Sequence, residues 1–435
     1  MTAPVAGPLS YGQLSVWRDV EGFPPRDRHQ ANICRVERLT VEMYPDQLVA
    51  AFTRVRQRHD VLRTTYELGD GPLRQLVHPP TGEPAPVIEV TVPFGADPDD
   101  VADAASAAMT GEAFDLAVEE PWRLAVVVGT GGRITHVILV LHHIAADHWG
   151  EDLLENELKA ALAGQPPAGP AGSPLELALA QQSDAWRQRR DDTERYLRQV
   201  YAAAARTGTP PIPLLDAASV KVNLRSWTGL EGARAAGAAM RTAAPSFSTP
   251  SLVLAAYCWT VHRTTGVPDL LVSAMCANRV HAGTPTMVSS MNQWARIVTH
   301  HDPGESFDEF ALRVHADSLA GYRHGCYDVD LDVRLRREAE EAAGPIGTEI
   351  FFNYVQSTAS RDDEDRHPPA GGMRVDHVPT AFVGGPAFYL VASQGHRLEF
   401  IARTRWAGFG DTDMVDFVTR VHDLLHPAAL AVPAA

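Results

Sequence analysis

Apolar residues run almost unbroken from Ile134 to Leu141, directly after Gly131 and Gly132, which is the pattern of a strand buried on both faces. Beyond it, Leu153, Leu154, Leu158 and Leu162 recur at helical spacing, so the chain turns from buried strand straight into amphipathic helix. Earlier, Ser10 is placed to cap a short helix that buries Trp17, and Asn32 to Leu39 reads as a strand. Pro45 opens a helix with Leu48, Phe52 and Val55 facing the core. Val87 to Val92 alternates like a half-buried strand, Val101 to Met109 forms an alanine-rich helix, and Ala125 to Val128 a strand. In the second half the pattern predicts a buried helix over Ser251–Thr265, a buried strand over Asp269–Cys276 and a helix over Phe307–Leu319. A strand over Thr348–Val355, a strand pair at Phe388–Ala392 and Leu398–Ala402, and a closing helix over Met414–Leu425 follow. The sharpest break is Gly164–Pro174, whose Pro and Gly density ends any helix or ladder, and a long helical stretch from Leu175 to Ala204 comes after it. The expectation is an α/β protein of two lobes, 1–174 and 175–435.

Composition narrows the picture. A chain of 435 residues exceeds what one core usually supports. Its formal charge of -16 argues against nucleic acid or an anionic membrane as partner. No apolar run reaches membrane-span length, and Met1–Pro8 lacks the basic and apolar regions of a signal peptide, so a cytoplasmic location is expected. Cys34, Cys258, Cys276 and Cys326 lack metal-type spacing and read as free, buried thiols; no metal site is expected.

The candidate chemistry lies between strand and helix, in His142-His143-Ile144-Ala145-Ala146-Asp147-His148-Trp149-Gly150. Successive strand residues face opposite ways, so one imidazole is free for chemistry and the other packs. A His-His-x-x-x-Asp spacing arises by chance in roughly one such chain in twenty. Its place at a strand end, ahead of a helix, is what gives it weight. A satisfied core histidine pair beside a helix-capping Asp147 is the structural alternative.

Further residues carry a resemblance. Ser10–Trp17, Arg58-His-Asp-Val-Leu-Arg-Thr64, Phe114-Asp-Leu116 with Trp122-Arg123, the histidine stretch, Asn278-Arg279, Asn292 and Phe352-Asn-Tyr354 fall in one order along almost the whole chain. In that order they resemble the motifs of condensation domains of nonribosomal peptide synthesis, in the chloramphenicol-acetyltransferase-like superfamily. The resemblance implies two acetyltransferase-like lobes, each a mixed sheet flanked by helices, set as a V-shaped pseudo-dimer with the signature at their junction. It implies a free-standing enzyme joining an acyl or aminoacyl thioester, carried on the phosphopantetheine of an acyl or peptidyl carrier protein in trans, to a small soluble alcohol or amine. No bound cofactor is implied. His143 takes the catalytic role, with His142 packing; Asp147 is expected to pair with Arg279 across the lobes, with Arg63 as the runner-up. His148, Trp149, Gly150, Asn292 and Tyr354 are candidate substrate or pantetheine tunnel residues.

There are departures. His148 stands where the signature has glycine, and Val288 and Ser290 replace an expected Gly and Phe. An extra imidazole at His148 would assist ester formation, or would simply cap the helix. A histidine, with an unperturbed pKa of about 6.5, can take the nucleophile's proton, which contributes about 10² to 10⁴-fold. Three rivals stay open: a coenzyme A-dependent acyltransferase, an epimerisation domain with Glu349 as a weak stand-in for its glutamate, and a silent recruiting domain. Carrier proteins are acidic, and Arg187, Arg189 and Arg190 are one source of a docking patch.

Overall fold

A computed structural model describes residues 3–69, 71–167, 169–206, 222–281, 283–347, 349–356, 374–377, 386–395 and 397–425. The chain divides into two compact units: residues 1–190, 277–293 and 327–329, and residues 191–276, 294–326 and 330–435. The division falls after Arg190 rather than at Pro174, and a segment of the second half, 277–293, belongs to the first unit.

In the first unit the elements are β1 (Val5–Pro8), α1 (Tyr11–Glu21), β2 (Asn32–Arg38), α2 (Pro45–Arg58), β3 (Thr64–Glu67), β4 (Arg74–Val77) and β5 (Ile88–Thr91), then α3 (Pro98–Thr110), β6 (Trp122–Val128), β7 (Ile134–His142), α4 (His148–Leu162) and α5 (Pro174–Gln182). Strands β2-β7-β6-β5 form one sheet, antiparallel except for the β5–β6 pair, and β1-β4-β3 form a small antiparallel one. The predicted two-sided burial of β7 holds. Val137, Leu141 and Leu154 pack with Leu48, Phe52 and Trp122, while Ile138 and Val140 pack with Ala102 under α3 on the other face.

The α1 helix begins where the sequence places it. Ser10 accepts from the backbone N–H of Gln13, whose side chain accepts in return from the Ser10 backbone, a reciprocal cap. The stretch Leu175–Ala204 is not one helix. It breaks at Ser183, whose backbone is extended and whose hydroxyl donates to the Ala180 carbonyl. Strand β5 is largely exposed, because it pairs on one side only.

The second unit contains α6 (Arg187–Arg206), most of which lies beyond Arg190, β8 (Val222–Gly229), α7 (Leu230–Met240), α8 (Thr249–Thr265), β9 (Asp269–Cys276), β10 (Gln293–His300) and α9 (Phe307–Arg323). It continues with α10 (Val329–Ala343), β11 (Glu349–Gln356), β12 (Arg374–His377), β13 (Phe388–Gln394), β14 (Arg397–Thr404) and α11 (Asp411–Asp423). Its seven strands are ordered β10-β9-β11-β13-β14-β8-β12, with parallel β9–β11 and β11–β13 pairs beside antiparallel ones. This mixed sheet packs on α8, which is buried from Leu252 to Val261 except for half-buried Trp259. Thr348, the first residue of the predicted strand, lies outside the described residues. Of the four cysteines only Cys258 is buried; the other three are half-buried.

One backbone position ties the 277–293 segment to α1, and another closes that segment on itself. A Cβ on Gly12 would stand 2.3 Å from the Ser290 carbonyl oxygen and 2.7 Å from Met291 Cα, so α1 can approach that backbone only without a side chain. Asn278 sits at φ 53°, the one positive φ on a non-glycine among the described residues, and its amide donates to the Met291 carbonyl at 2.9 Å. Asparagine tolerates this left-handed conformation better than most side chains. Gly12→Ala is predicted to lower stability by about 1 to 3 kcal/mol through overpacking, read as a lower urea midpoint with unchanged slope.

Candidate active site

Strand β7 ends at His142, which pairs in register with Asn32. The chain then surfaces: the His143 backbone N–H donates to the Ala31 carbonyl at 2.8 Å, and Ala145 N–H donates to the His142 carbonyl at 2.9 Å. This turn separates the two imidazoles as the strand alternation requires. His142 is 3 % exposed and its Nδ1 accepts from the Ile144 backbone N–H at 3.0 Å, so its proton resides on Nε2. Burial, with His143 beside it, pushes the His142 pKa down to about 3. His142 is therefore neutral at cellular pH and holds the turn.

His143 is only half-buried. Its Nδ1 lies 3.4 Å from the Ser290 hydroxyl, and that hydroxyl donates to Asn292 Oδ1 at 3.0 Å. With the Ser290 proton committed to Asn292, the oxygen faces His143 as an acceptor. The arrangement favours Nδ1–H and leaves the Nε2 lone pair for a substrate proton. Ser290 entered the sequence reading only as a departure from the motif. Nothing in the sequence says what it would touch, because its partner is 147 residues away.

Asp147 caps α4, its Oδ1 accepting from Gly150 N–H at 2.9 Å. The same oxygen accepts from Arg279 Nη2 at 2.6 Å, and Oδ2 accepts from Met291 N–H at 3.0 Å, so neither oxygen is left over to act as a base. Arg279 in turn donates to the carbonyls of Thr284 at 3.0 Å, Ser289 at 2.9 Å and Met287. Both side chains are 4 % exposed, and burial pushes the Arg279 pKa down against the opposing pull of Asp147. The expected ion pair forms, but inside the first unit and not across the lobes, because 277–293 belongs to that unit. Arg63 is not its partner: it donates to Asp60 at 2.7 Å and to the carbonyls of Arg56 and His78.

The remaining candidates separate. Trp149 is 47 % exposed, donates its indole N–H to the Pro285 carbonyl at 3.1 Å, and lies with its ring 5.9 Å from the Arg279 guanidinium carbon. Gly150 is packed so closely that a Cβ would meet Ala146 Cβ at 3.2 Å and the Ser289 carbonyl at 3.4 Å. His148 is engaged on the acidic first turn of α4, its side chain 44 % exposed with Nδ1 3.5 Å from Glu151. The Glu151 contact, partly opposed by burial, raises its pKa, with Asp152 helping. Its polar neighbours are thus Glu151, Asp152 and Arg35, not His143.

Tyr354 belongs to the second unit, where its hydroxyl donates to Gln394. Glu349, also there, is bound by Arg296 at 2.9 Å and Arg336 at 2.5 Å. Burial pushes its carboxyl up, but the two arginines hold it below the ordinary range, so it stays charged and paired. Arg187 pairs with Asp184, Arg189 stacks on Trp186 and donates to His281, and Arg190 donates to the Gln181 and Ser183 carbonyls. These three arginines are already occupied within the chain.

Removing one partner of a buried ion pair strands the other. Asp147→Ala is therefore predicted to cost about 3 to 5 kcal/mol, seen as a large drop in melting temperature or loss of soluble protein. The buried neutral histidines set a pH dependence as well. His142 and His262, the latter held near 4 chiefly by burial, bind their protons more weakly folded than unfolded. Their contribution to stability is complete above the unfolded value of about 6.5 and is lost as pH falls toward the folded values. The urea midpoint is predicted to fall between about pH 7 and pH 5, and His262→Gln to flatten that slope.

Comparison with known proteins gives the family. The family profile "Condensation domain" matches residues 26–425. The chain is 28% identical over 405 residues to the nonribosomal peptide synthetase penN of Penicillium thymicola, covering 86% of this chain but only 13% of that protein. Among solved structures, the condensation domain of the Monacolin K polyketide synthase MokA aligns with a TM-score of 0.75 at 16% identity, covering 100% of this chain and 99% of that one. A structure describing condensation domain-mediated chain release from the enacyloxin polyketide synthase aligns at 0.73 and 18%, covering 100% and 85%. The mixed α/β units thus have the chloramphenicol-acetyltransferase-like fold that condensation domains share. With His143 at the strand exit and Asp147 clamped to Arg279, the chain belongs to the condensation-domain family of nonribosomal peptide synthesis.

Proposed function

We propose that this chain joins a carrier-protein-bound acyl or aminoacyl thioester to a small soluble amine or alcohol, with His143 handling the nucleophile's proton. The supporting observation is the single orientation of His143: Nδ1 faces the Ser290 hydroxyl, and the ring stands where a buried strand reaches the surface. In this reading Nε2 accepts the N–H or O–H proton as the nucleophile attacks the thioester carbonyl carbon. The tetrahedral oxyanion collapses, the C–S bond breaks, and the proton passes to the departing pantetheine thiolate. Buried, neutral His142 and fully bonded Asp147 keep the turn rigid and take no proton.

No cofactor enters this chemistry; the phosphopantetheine arm belongs to the carrier and arrives with the donor. Among the described residues no cluster of metal-ligating side chains is present, and no helix is long and apolar enough to cross a membrane. Ester formation would lean harder on the base than amide formation, since a hydroxyl gives up its proton less readily. His148, paired with Glu151, gives that step no second base in this reading.

The test is an assay of the pure protein with acyl-loaded carrier protein and a panel of amines and alcohols, reading product mass. Acyl transfer is expected from the carrier and not from acyl-coenzyme A alone; transfer from acyl-coenzyme A at equal rate would overturn the choice of donor. His143→Ala is predicted to lose about 10² to 10⁴-fold in turnover at an unchanged melting temperature. Ser290→Ala, which removes a hydrogen bond of about 1 kcal/mol, should cost about five- to tenfold in kcat and displace the pH profile, while Ser290→Thr restores both. Near-normal turnover by His143→Ala would remove the mechanism.

A further inference from the structure

A cavity lies against His142, the last residue of β7. It encloses about 230 Å³ within the first unit, and its wall includes Trp17, Arg28, Tyr66, Phe114, Leu116 and His142. Three features distinguish it from a packing defect. The wall holds an ionisable side chain that is almost wholly buried: His142, 3 % exposed, whose Nδ1 is occupied by the Ile144 N–H. Its Nε2–H has no hydrogen-bond partner among the described residues. Arg28, exposed at the same cavity, has no carboxylate partner among the described residues. Trp17, 8 % exposed, carries a buried indole N–H that also lacks a partner.

The unpartnered side-chain nitrogens of Trp17, Arg28 and His142 are all donors, and one belongs to a permanent cation. The body of the wall is apolar and aromatic. Asp115 at the rim is exposed and accepts from the Ala117 backbone N–H at 3.2 Å, and the Tyr66 hydroxyl accepts from Gln13 Nε2 at 3.4 Å. Unpartnered donors on an aromatic wall match a small monocarboxylate with an apolar, ring-sized body. A carboxylate has only acceptor sites, and its bond to a guanidinium is charge-assisted. We infer that this cavity is a binding site for a small aryl carboxylic acid, with the carboxylate between Arg28 and the His142 Nε2–H and the ring against Trp17 and Leu116.

The site shares its histidine with the turn that carries His143, so a bound acid would sit directly behind the catalytic loop. Its occupancy can be measured with no carrier protein or acyl donor present. The outcome is thus independent of the acyl-transfer reading.

The probe is phenylacetate, titrated into the full chain by calorimetry beside its neutral analogue phenylacetamide. Phenylacetate is expected to bind one-to-one and about tenfold more tightly than the amide. It should also shift the Trp17 indole N–H resonance, assigned with Trp17→Phe. Arg28→Gln, at an exposed position that leaves the fold untouched, should erase the preference for the acid. His142→Asn keeps an acceptor for the Ile144 N–H while deleting the Nε2 donor, and should weaken phenylacetate about fivefold. Equal affinity for acid and amide, no shift at Trp17, or an Arg28→Gln variant that keeps the preference would each overturn the assignment.

Discussion

The buried pair of Asp147 and Arg279 is the contact on which the candidate active site depends. An aspartate at a helix start normally serves only its own helix. Here one carboxylate caps α4 through Gly150, takes the guanidinium of Arg279 and receives the Met291 N–H. Arg279 closes the 277–293 segment on itself by gathering the carbonyls of Thr284, Met287 and Ser289. Two charges removed from water are costly, and the pair persists because hydrogen bonds take up almost all of their capacity. The Arg279 Nε–H is the exception, buried and without a partner. What the pair secures is position: Ser290 and Asn292, at the end of the clamped segment, are brought to His143.

The two adjacent histidines show how one strand end produces two different groups. The last residue of β7 is buried, accepts a backbone N–H and is driven neutral by burial. One residue later the chain has turned, and His143 is half-exposed with one nitrogen against a hydroxyl. Neither property belongs to histidine as such. Each follows from which side of the strand exit the ring occupies.

Much of this was legible in the sequence wherever the information is local. The apolar run from Ile134, the leucines after Gly150, the Ser10 cap and the Pro45 helix start all became the predicted elements, because periodicity and capping act over a few residues. The Asp147–Arg279 pair was legible only through resemblance, and its placement across lobes was wrong, since no local pattern shows that 277–293 packs with the first unit. The long helix read over Leu175–Ala204 failed at Ser183, where a polar side chain competes for a backbone carbonyl. Short strands such as β1, β3 and β4 carry too few residues for a period to emerge. Ser290 was noticed as an anomaly, yet its meaning lies in a contact with His143.

The account rests on His143 presenting Nε2 as a free base, with its proton held on Nδ1 toward Ser290. Nitrogen-15 spectra of histidine-labelled protein at neutral pH, with the His143 signals assigned by their loss in His143→Ala, report this tautomer directly. A protonated Nδ1 and an unprotonated Nε2 are the predicted result, alongside the opposite tautomer at His142. A His143 ring protonated on Nε2 alone would contradict the account, because the nitrogen assigned to take the substrate proton would already carry one.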